Sequence, residues 1–446
     1  MRKMGFVVIC GLFLVISAVA FATSLSDLPA VAQNKILSAM EHRNTVRQLP
    51  LGVWQQLAEL SPSDSQANDF FGISVAISGN TIVVGDFNPN TEQYGEVDVF
   101  VKPASGWSNM TQTARLTSSD NGQGFGISVA VDGNTVVVGA ANTSNFKRPG
   151  AAGPGAAYVF VKPAGGWVNM TETAKLTASD GQSGDAFGDS VSINGNTIAA
   201  GAFFVSNFSG KAYVFVKPST GWSGNLTQTA ELAASDSDGI LDYFGCSVAV
   251  SGNTVAVGSY GHNNFQGASY VFVEPAGGWV NMTETAELTV SNGKSSDFFG
   301  FAVAINGNTI VAGAPSAYNQ YGVAYVYLEP ASGWTSTSQF TAGLGAPDAT
   351  QGDSFGQSVG ISDNGHAIVV GAPAATINGN FGQGAVYAYL RPAAGWSNTQ
   401  HAYAEATASD GAANDGMAVS IGISGATVIA GAPKNNKPGA TYVFGQ

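Results

Sequence analysis

Residues 107–162 run WSNMTQTARLTSSDNGQGFGISVAVDGNTVVVGAANTSNFKRPGAAGPGAAYVFVK, and the same pattern recurs along almost the whole chain. Seven tryptophans mark its copies at spacings of 53 to 62 residues. They are Trp54, Trp107, Trp167, Trp222, Trp279, Trp334 and Trp396. Repeats of this length indicate units that stack or are arranged around an axis.

Each copy contains four short runs rich in Val, Ile, Thr, Tyr and Phe, separated by Gly, Asn, Asp or Pro. This pattern predicts four antiparallel strands. The first run, residues 71–77 (FGISVAI), alternates large and small side chains, so one face of the strand is bulky and the other almost bare. Such faces interlock when a sheet packs between two neighbours. No run has a helical period, so we expect no helix in the repeats.

The sequence therefore predicts an all-β fold, a seven-bladed β-propeller of four-stranded antiparallel blades over residues 54–446. Each tryptophan is predicted to begin the outer strand of the preceding blade. Trp54–Leu60 has no preceding blade, so we expect it to join the last blade beside Ala440–Phe444. That pairing closes the ring and removes two exposed sheet edges.

Residues 1–22 have the pattern of a secretory signal peptide, with Arg2 and Lys3 before an apolar run and Ala20-Phe21-Ala22 before the expected cleavage point. Residues 23–53 are predicted to be a linker with one short helix after Asp27. No other stretch has the ~18 unbroken apolar residues of a membrane span. We therefore expect a secreted, extracellular, unanchored monomer.

The charge of the chain limits its partners. The formal net charge is -13, and removal of Arg2 and Lys3 leaves 15 basic against 30 acidic side chains, or about -15. Such a field repels phosphate backbones, which makes nucleic acid an unexpected partner. It suits cations, neutral glycans or a basic protein surface. The mature chain would keep only Cys246, so no disulfide framework is predicted.

Two short elements recur at fixed places in the repeats. An FG element stands at Phe71-Gly72, Phe125-Gly126, Phe187-Gly188, Phe244-Gly245, Phe299-Gly300 and Phe355-Gly356, with Met417-Ala418 in the seventh copy. A GAP element is complete at Gly313-Ala314-Pro315, Gly371-Ala372-Pro373 and Gly431-Ala432-Pro433. The chain resembles the FG-GAP family, the repeats of the integrin α-subunit propeller and of many exported bacterial proteins.

The resemblance implies a propeller used for recognition or adhesion and not for a reaction. Integrin-like blades bind calcium on Asp-rich loops between the first two strands. In this chain those connections are turns of two or three residues rich in Gly and Asn, such as Gly-Asn-Thr at residues 79–81. We therefore expect no calcium at that position.

The two ends of the predicted blades differ. Turns between strands one and two and between three and four are short and uniform; we name this the turn end. Connections at the opposite end, the loop end, vary in length, and variable loops on a rigid scaffold are typical binding sites. Their aromatic residues are our ligand-binding candidates: Phe87, Tyr94, Phe146, Phe204, Phe208, Tyr260, Phe265, Tyr318, Tyr321 and Phe381, with Phe203 beside them. The alternative is that these rings pack their own loops.

Pairs of aspartates recur in the loops that enter the inner strands, as in Asp180/Asp185 and Asp348/Asp353. Their recurrence favours a structural role, since Asp commonly fixes a turn by accepting backbone N–H groups. One copy differs, because Asp236, Asp238 and Asp242 flank Gly239 in the manner of the later half of a calcium loop. Ala234 stands where the first ligand of such a loop belongs. Calcium at these three residues is a hypothesis.

Other signals favour structure over chemistry. Residues 356–360 (GQSVG) match a nucleophile motif, but sister repeats place Ser358 on an inner strand. His42, His262, His366 and His401 fall at unlike positions, so no metal spacing or triad is visible. The tryptophans follow a fixed turn, which favours packing over sugar stacking. We expect a secreted non-catalytic recognition scaffold for a protein or cell-surface ligand. The alternatives are a lectin-like propeller for neutral glycans and an exported hydrolase.

Overall fold

The computed structural model describes residues 54–64, 69–87, 95–141, 153–237, 241–433 and 438–445. Within them the chain forms seven mainly antiparallel sheets, which are the blades of a propeller. Each inner strand contacts the inner strands of the two neighbouring blades, and the last contacts the first. The seven-bladed all-β fold predicted from the repeats is confirmed. The predicted signal peptide (1–22) and linker (23–53) lie outside the described residues.

Every blade has four main strands, ordered from the centre of the ring to its outside. Blade 1 consists of Ser74–Ser78, Thr81–Asp86, Glu96–Val101 and Ala114–Thr117, and blade 2 of Phe125–Asp132, Thr135–Ala140, Ala156–Val161 and Ala174–Thr177. Blade 3 consists of Val191–Asn194, Thr197–Ala202, Lys211–Val216 and Ala230–Ala233, and blade 4 of Ser247–Ser251, Thr254–Ser259, Ala268–Val273 and Ala286–Leu288. Blade 5 consists of Val303–Asn306, Thr309–Ala314, Val323–Leu328 and Ala342–Leu344, and blade 6 of Ser358–Ile361, Ala367–Ala372, Ala385–Leu390 and Ala404–Ala406. Blade 7 consists of Ser420–Ser424, Thr427–Ala432, Ala440–Gly445 and Gln55–Leu60.

The first strand of the chain closes the ring. Gln55–Leu60 pairs antiparallel with Ala440–Gly445, in a register that runs from Gln55 opposite Gly445 to Leu60 opposite Thr441. Leu60 is fully buried at this junction. The predicted closure by the Trp54 segment is confirmed, and the two ends of the described propeller share one sheet.

The other six outer strands differ from the prediction, because they do not begin at the tryptophans. The outer strand Ala114–Thr117 starts seven residues after Trp107. Residues closer to each tryptophan instead pair in parallel with the outer strand of the preceding blade, as Met170–Thr171, Gly224–Thr227 and Met282–Thr283 do. Three sheets therefore have five strands. The added strand covers backbone groups that an outer edge would otherwise expose.

Asparagine side chains strengthen this cover. The Oδ1 atoms of Asn109, Asn169 and Asn281 each accept the backbone N–H of an outer-strand residue in the preceding blade, all at 2.9 Å. These asparagines belong to N-x-T sequons. The side-chain oxygen of each asparagine makes the contact between blades, and the side-chain nitrogen is the atom to which a glycan would be attached.

The hydrophobic core lies between the blades. Six tryptophans, from Trp107 to Trp396, are only 4 to 8% exposed, which confirms that they pack and do not offer a stacking surface. The phenylalanine of the FG element meets aromatic rings of its own blade edge-on; the ring of Phe125, for example, lies 5.4 Å from that of Tyr158. Core packing therefore repeats from blade to blade.

Short helical turns in three loops correct the expectation of helix-free repeats. They span Val205–Phe208, His262–Phe265 and Ala317–Gln320. Three consecutive residues in each have positive φ, from Ser206 to Phe208 in the first. They are single left-handed turns and carry no apolar stripe that a sequence period could reveal. Among the described residues, no helix has the length and apolar character needed to cross a membrane.

Candidate functional site

The left-handed turns join strands two and three at the loop end of blades 3, 4 and 5. Each contacts the entry loop of the following blade. In blade 3, the carbonyl oxygen of Phe208 accepts the N–H of Tyr243 at 2.7 Å, and in blade 4 that of Phe265 accepts the N–H of Phe298 at 3.0 Å. Because these bonds cross blade boundaries, side chains from several repeats gather around one place.

Eight aromatic rings gather there, and we name them the central aromatic cluster: Phe203, Phe204, Phe208, Tyr243, Tyr260, Phe265, Phe298 and Phe301. The rings form a continuous chain of contacts. The rings of Tyr243 and Tyr260 are stacked with centroids 4.8 Å apart, and Phe208 lies 5.5 Å from Tyr243. The cluster extends the hydrophobic group that Phe70, Ile73 and Ile127 form on the side of blades 1 and 2.

Exposure divides the candidate aromatics. Phe87 and Tyr260 are 5% and 4% exposed, so for these two the packing interpretation holds. Phe204, Phe265 and Tyr318 are half-buried. Phe208, Tyr321 and Phe381 are 37%, 43% and 55% exposed. Tyr94 and Phe146 lie outside the described residues.

Several rings of the cluster are carried by backbone in the left-handed region. Phe208, Tyr243, Phe265 and Phe298 have φ between 55° and 69°. For a bulky residue this conformation is an outlier that costs about 1–2 kcal/mol. Strain of this kind concentrates at binding and switch regions. The cluster is thus a mostly buried aromatic group, with Phe208 exposed at its edge, that is built at a cost in stability.

The recurrent aspartate pairs have structural partners. The first member accepts the hydroxyl of a tyrosine on the third strand, and Asp120, which has no second aspartate in its loop, accepts that of Tyr158 in the same way, at 2.8 Å. The same bond recurs in other blades from Tyr213, Tyr270, Tyr387 and Tyr442 to Asp180, Asp236, Asp348 and Asp410. The second member closes a turn; Oδ2 of Asp185 accepts the N–H of Gln182 at 2.6 Å. The turn-fixing interpretation therefore holds for these pairs.

Cations balance the first aspartate in blades 1 to 3. Arg115 contacts Asp64 at 2.5 Å, and its Nε lies 3.0 Å from Oδ1 of the fully buried Asp98. Asp98 replaces the tyrosine that other blades carry at this position. Lys175 pairs with Asp120, and Lys211 pairs with Asp180 at 2.8 Å. Hydrogen bonding to Arg115 holds the pKa of Asp64 below its usual value.

In blade 4 a histidine, His262, lies beside the first aspartate in place of a lysine or an arginine. The Nε2 atom of His262 lies 3.6 Å from Oδ2 of Asp236 and 3.9 Å from Oε1 of Glu287, and its Nδ1 lies 3.5 Å from Oδ1 of Asp242. Interaction with Asp242 raises the pKa of His262, against the opposing effect of burial. The sequence did not group these residues, because they come from three separate segments of the chain.

The hypothesised calcium ligands are only partly described. Asp236 and Asp242 both face His262, and Asp238 lies outside the described residues. Oδ2 of Asp242 accepts the hydroxyl of Ser237 at 2.6 Å. The donor set around this loop therefore includes an imidazole, which the aspartate spacing alone did not predict.

The signals set aside in the sequence have ordinary positions. Ser358 lies on the inner strand of blade 6, is 8% exposed, and donates its hydroxyl to the carbonyl of Ala418 at 2.7 Å. Cys246 is a buried free thiol whose Sγ lies 3.6 Å from the carbonyl oxygen of Gly300. Both side chains contribute to the contact between neighbouring blades.

Comparison with known families agrees with this architecture. The model described as FG-GAP repeat matches the chain seven times, over residues 54–100, 110–160, 170–215, 226–272, 282–327, 334–389 and 401–444. The chain belongs to the FG-GAP repeat family. A search of curated proteins found no match.

The FG and GAP glycines have a common physical reason in this FG-GAP protein. A Cβ atom built on Gly313 of one blade would lie 1.8 Å from the carbonyl oxygen of Gly356 in the next. The same approach occurs between Gly431 and Gly72, at 1.9 Å, where the ring closes. Backbones of adjacent blades touch at these points, so only a residue without a side chain fits.

Proposed function

We propose that this FG-GAP propeller is a secreted, non-catalytic recognition scaffold that binds a protein or cell-surface ligand through its loop end. The observation that carries the proposal is the central aromatic cluster, whose outer ring Phe208 is 37% exposed. Large rings on rigid backbone are the commonest anchors of protein recognition because their burial releases much water at little entropic cost.

Neighbouring residues extend this surface. Leu241 is 40% exposed and donates its N–H to the carbonyl of Asn207, beside Phe208. The ring of Phe204 lies 4.8 Å from that of Phe208 and meets it edge to face. Phe208 and Leu241 are thus two exposed apolar side chains on hydrogen-bonded neighbouring segments, which suits the centre of a protein interface. The acidic charge of the chain favours a partner with a basic rim.

The proposal is tested by measuring binding of the labelled full chain to surface and medium proteins from its own source, before and after Phe208→Ala combined with Leu241→Ser. We expect affinity to fall roughly 30-fold, since loss of a central anchor typically costs about 2 kcal/mol. Melting temperature should change little, because both side chains are partly exposed.

A matched control is available at the turn end. Val168 and Val280 are 51% and 52% exposed and follow the turns between strands three and four. Val168→Ser with Val280→Ser removes a similar apolar area from the opposite end and should leave binding unchanged. Equal loss in the two double variants, or no loss in the first, would refute the loop-end proposal.

A second candidate is a lectin-like propeller for neutral glycans, favoured by the exposed rings of Tyr321 and Phe381. Exposed aromatic faces stack on sugars. In that case Tyr321→Ala or Phe381→Ala should reduce binding on a glycan array, while the Phe208 and Leu241 double variant has less effect. Tyr260→Ala cannot separate these possibilities, since that ring is buried and its removal would destabilise the fold.

The third candidate is an exported hydrolase. The motif at Ser358 does not support an accessible nucleophile, because the hydroxyl is buried between blades and bonded to the carbonyl of Ala418. Turnover of an ester, glycoside or phosphate substrate, lost in a loop-end variant, would overturn the non-catalytic proposal.

A further inference from the structure

Blades 3 and 4 place the same pair of carboxylates at the loop end. In blade 3 they belong to Asp180 and Glu231, and in blade 4 to Asp236 and Glu287. The backbone register is equal, because Tyr213 stands opposite Glu231 and Tyr270 opposite Glu287. The tyrosine hydroxyl donates to the aspartate in both blades, at 3.0 and 2.9 Å. The two sites can therefore be compared atom by atom.

A lysine fills the space between the two carboxylates of blade 3. The Nζ atom of Lys211 lies 2.8 Å from Oδ2 of Asp180 and 2.6 Å from Oε1 of Glu231. Lys211 begins the third strand, and the corresponding first residue in blade 4 is Ala268. The cation that holds the two acids together in blade 3 is thus missing from the strand in blade 4.

The replacement comes from the left-handed turn. His262 occupies the place that Val205 has in blade 3 and Ala317 in blade 5, since each is the first residue of its turn. Its Nε2 faces Oδ2 of Asp236 at 3.6 Å and Oε1 of Glu287 at 3.9 Å. These distances are too long for hydrogen bonds. They leave room for an atom between the three groups.

The spacing fits a small divalent ion. One ligand atom each from Asp236, His262 and Glu287 lies within 4.8 Å of the others. A tetrahedral ion with bonds of about 2.0–2.2 Å holds its ligand atoms about 3.3–3.6 Å apart, so closure of the site needs only small side-chain movements. We propose that blade 4 binds a divalent transition metal of the zinc class through Asp236, Nε2 of His262 and Glu287, with water as the fourth ligand.

Further contacts orient the three ligands. Oδ1 of Asp242 lies 3.5 Å from Nδ1 of His262, and Asp242 is 2% exposed and held by Ser237. A carboxylate behind the other nitrogen of a histidine is the usual support of a metal-binding imidazole. Tyr270 donates to Oδ1 of Asp236, which leaves Oδ2 of the same carboxylate to face the ion.

The donor set selects the class of metal. Imidazole nitrogen with two carboxylates suits zinc and similar transition metals, whereas calcium takes six to eight oxygen ligands. The calcium hypothesis for Asp236, Asp238 and Asp242 uses Asp242 as a ligand. In the zinc-class site Asp242 instead supports the histidine, so the two hypotheses predict different ions.

The test uses the tag-free full chain, stripped with a chelator that is then removed. We expect Zn²⁺ at ~100 times its Kd to raise the melting temperature by about 3 °C, a small shift because the chain is long. Co²⁺ should give the visible absorption of a low-coordinate site. Both signals should disappear in His262→Ala and remain in the control His401→Ala, whose exposed histidine lies elsewhere.

Two further variants distinguish loss of metal binding from loss of folding. His262→Val with Ala268→Lys gives blade 4 the residues of blade 3, so it should fold and lose the metal response. Glu287→Gln keeps the shape of the side chain and should weaken binding at least tenfold. Metal response that survives in His262→Ala and in the double variant, or the absence of any response to Zn²⁺ and Co²⁺, would overturn the proposal. A response to Ca²⁺ alone would also overturn it and would support the calcium hypothesis.

Discussion

The turn end and the loop end of the propeller both need backbone with positive φ, but they place different residues at those positions. Both ends contain many positions with positive φ. Among the described residues, all twenty non-glycine positions of this kind lie at the loop end, from Phe70 to Ala418. At the turn end these positions are occupied by glycines, such as Gly79, Gly252 and Gly307. Strain is therefore confined to the end that carries the aromatic cluster.

Space around the glycines differs between the ends as well. A Cβ atom on Gly307 or Gly252 would meet nothing within 4 Å, so the positive φ of the turn, and not a lack of space, favours glycine there. Glycines near the loop end, such as Gly313 and Gly258, touch the backbone of the next blade. At the turn end the backbone conformation requires glycine, whereas at these loop-end positions the close contact between blades requires it.

The largest effect is expected where two blades touch. Gly313→Ala places a methyl group about where the carbonyl oxygen of Gly356 lies, since the built Cβ is 1.8 Å from it. Backbone cannot yield as a flexible side chain can, so we expect a loss of about 3 kcal/mol or more in the free energy of unfolding. Denaturant unfolding followed by tryptophan fluorescence measures this loss.

Gly307→Ala at the turn end is the matched control. Its φ of +53° is unfavourable for alanine, but the site is open. We expect a loss of about 1 kcal/mol. Similar losses for the two variants would show that blade contacts do not distinguish the two ends.

A second test concerns a buried charge near the loop end. Asp189 follows the FG element of blade 3, at the position of Ile127 and Cys246 in the blades on either side. It is 7% exposed, and its Oδ2 has no hydrogen-bond partner among the described residues. Burial raises the pKa of Asp189 to about 8. The carboxyl group thus keeps its proton in the folded protein at pH values where the unfolded chain has lost it.

The raised pKa of Asp189 determines how the free energy of unfolding changes with pH. Between the unfolded pKa of 3.8 and the folded pKa of about 8, the folded state binds more protons, so stability falls as pH rises through this range. Asp189→Asn removes the titration, and we expect it to be more stable than wild type at pH 9 but not at pH 4, by up to about 1.4 kcal/mol for each unit that separates the two pKa values. Comparing urea unfolding of the two proteins isolates Asp189 from Asp86 and Glu405, whose pKa values burial also raises. A constant difference across pH would contradict the prediction.

The fold was predictable because its signals are local and repeated. Strand alternation, turn residues and the offset of Trp54 were enough to predict seven blades and their closure. The parallel fifth strands were missed, since a pairing of two residues such as Met170–Thr171 leaves no period in the sequence. Left-handed turns were missed for a similar reason. Their residues, such as Asn263 and Asn264, resemble those of any polar loop.

The candidate sites were predicted less completely. Sequence comparison of the repeats pointed to the loop end, but the exposure of a ring depends on the neighbouring blade. Tyr260 is covered by Tyr243 and Phe298, whereas Tyr321 remains open. The sequence does not single out His262, because the four histidines fall at unlike positions of the repeats. The alignment of repeats offers no signal at this position, because blades 2, 6 and 7 also have alanine where blade 4 has Ala268, and the lysine belongs to blade 3 alone.

The smallest expected effect tests whether left-handed strain at the loop end is real. Ala418 has φ of 76° where the other blades have the glycine of the FG element, and it is fully buried. Ala418→Gly relieves about 1–2 kcal/mol of strain, while the freer unfolded chain offsets about 0.4–1 kcal/mol, so we expect a net gain of roughly 0.5–1 kcal/mol. The reverse change in blade 6, Gly356→Ala, should destabilise, because its Cβ would also lie 2.8 Å from the carbonyl of Val323. If Ala418→Gly instead lowers the melting temperature, the methyl group contributes more by packing than it costs in backbone strain. The seventh blade would then hold alanine for its contact with the sixth, and the contrast between the two ends would be one of packing alone.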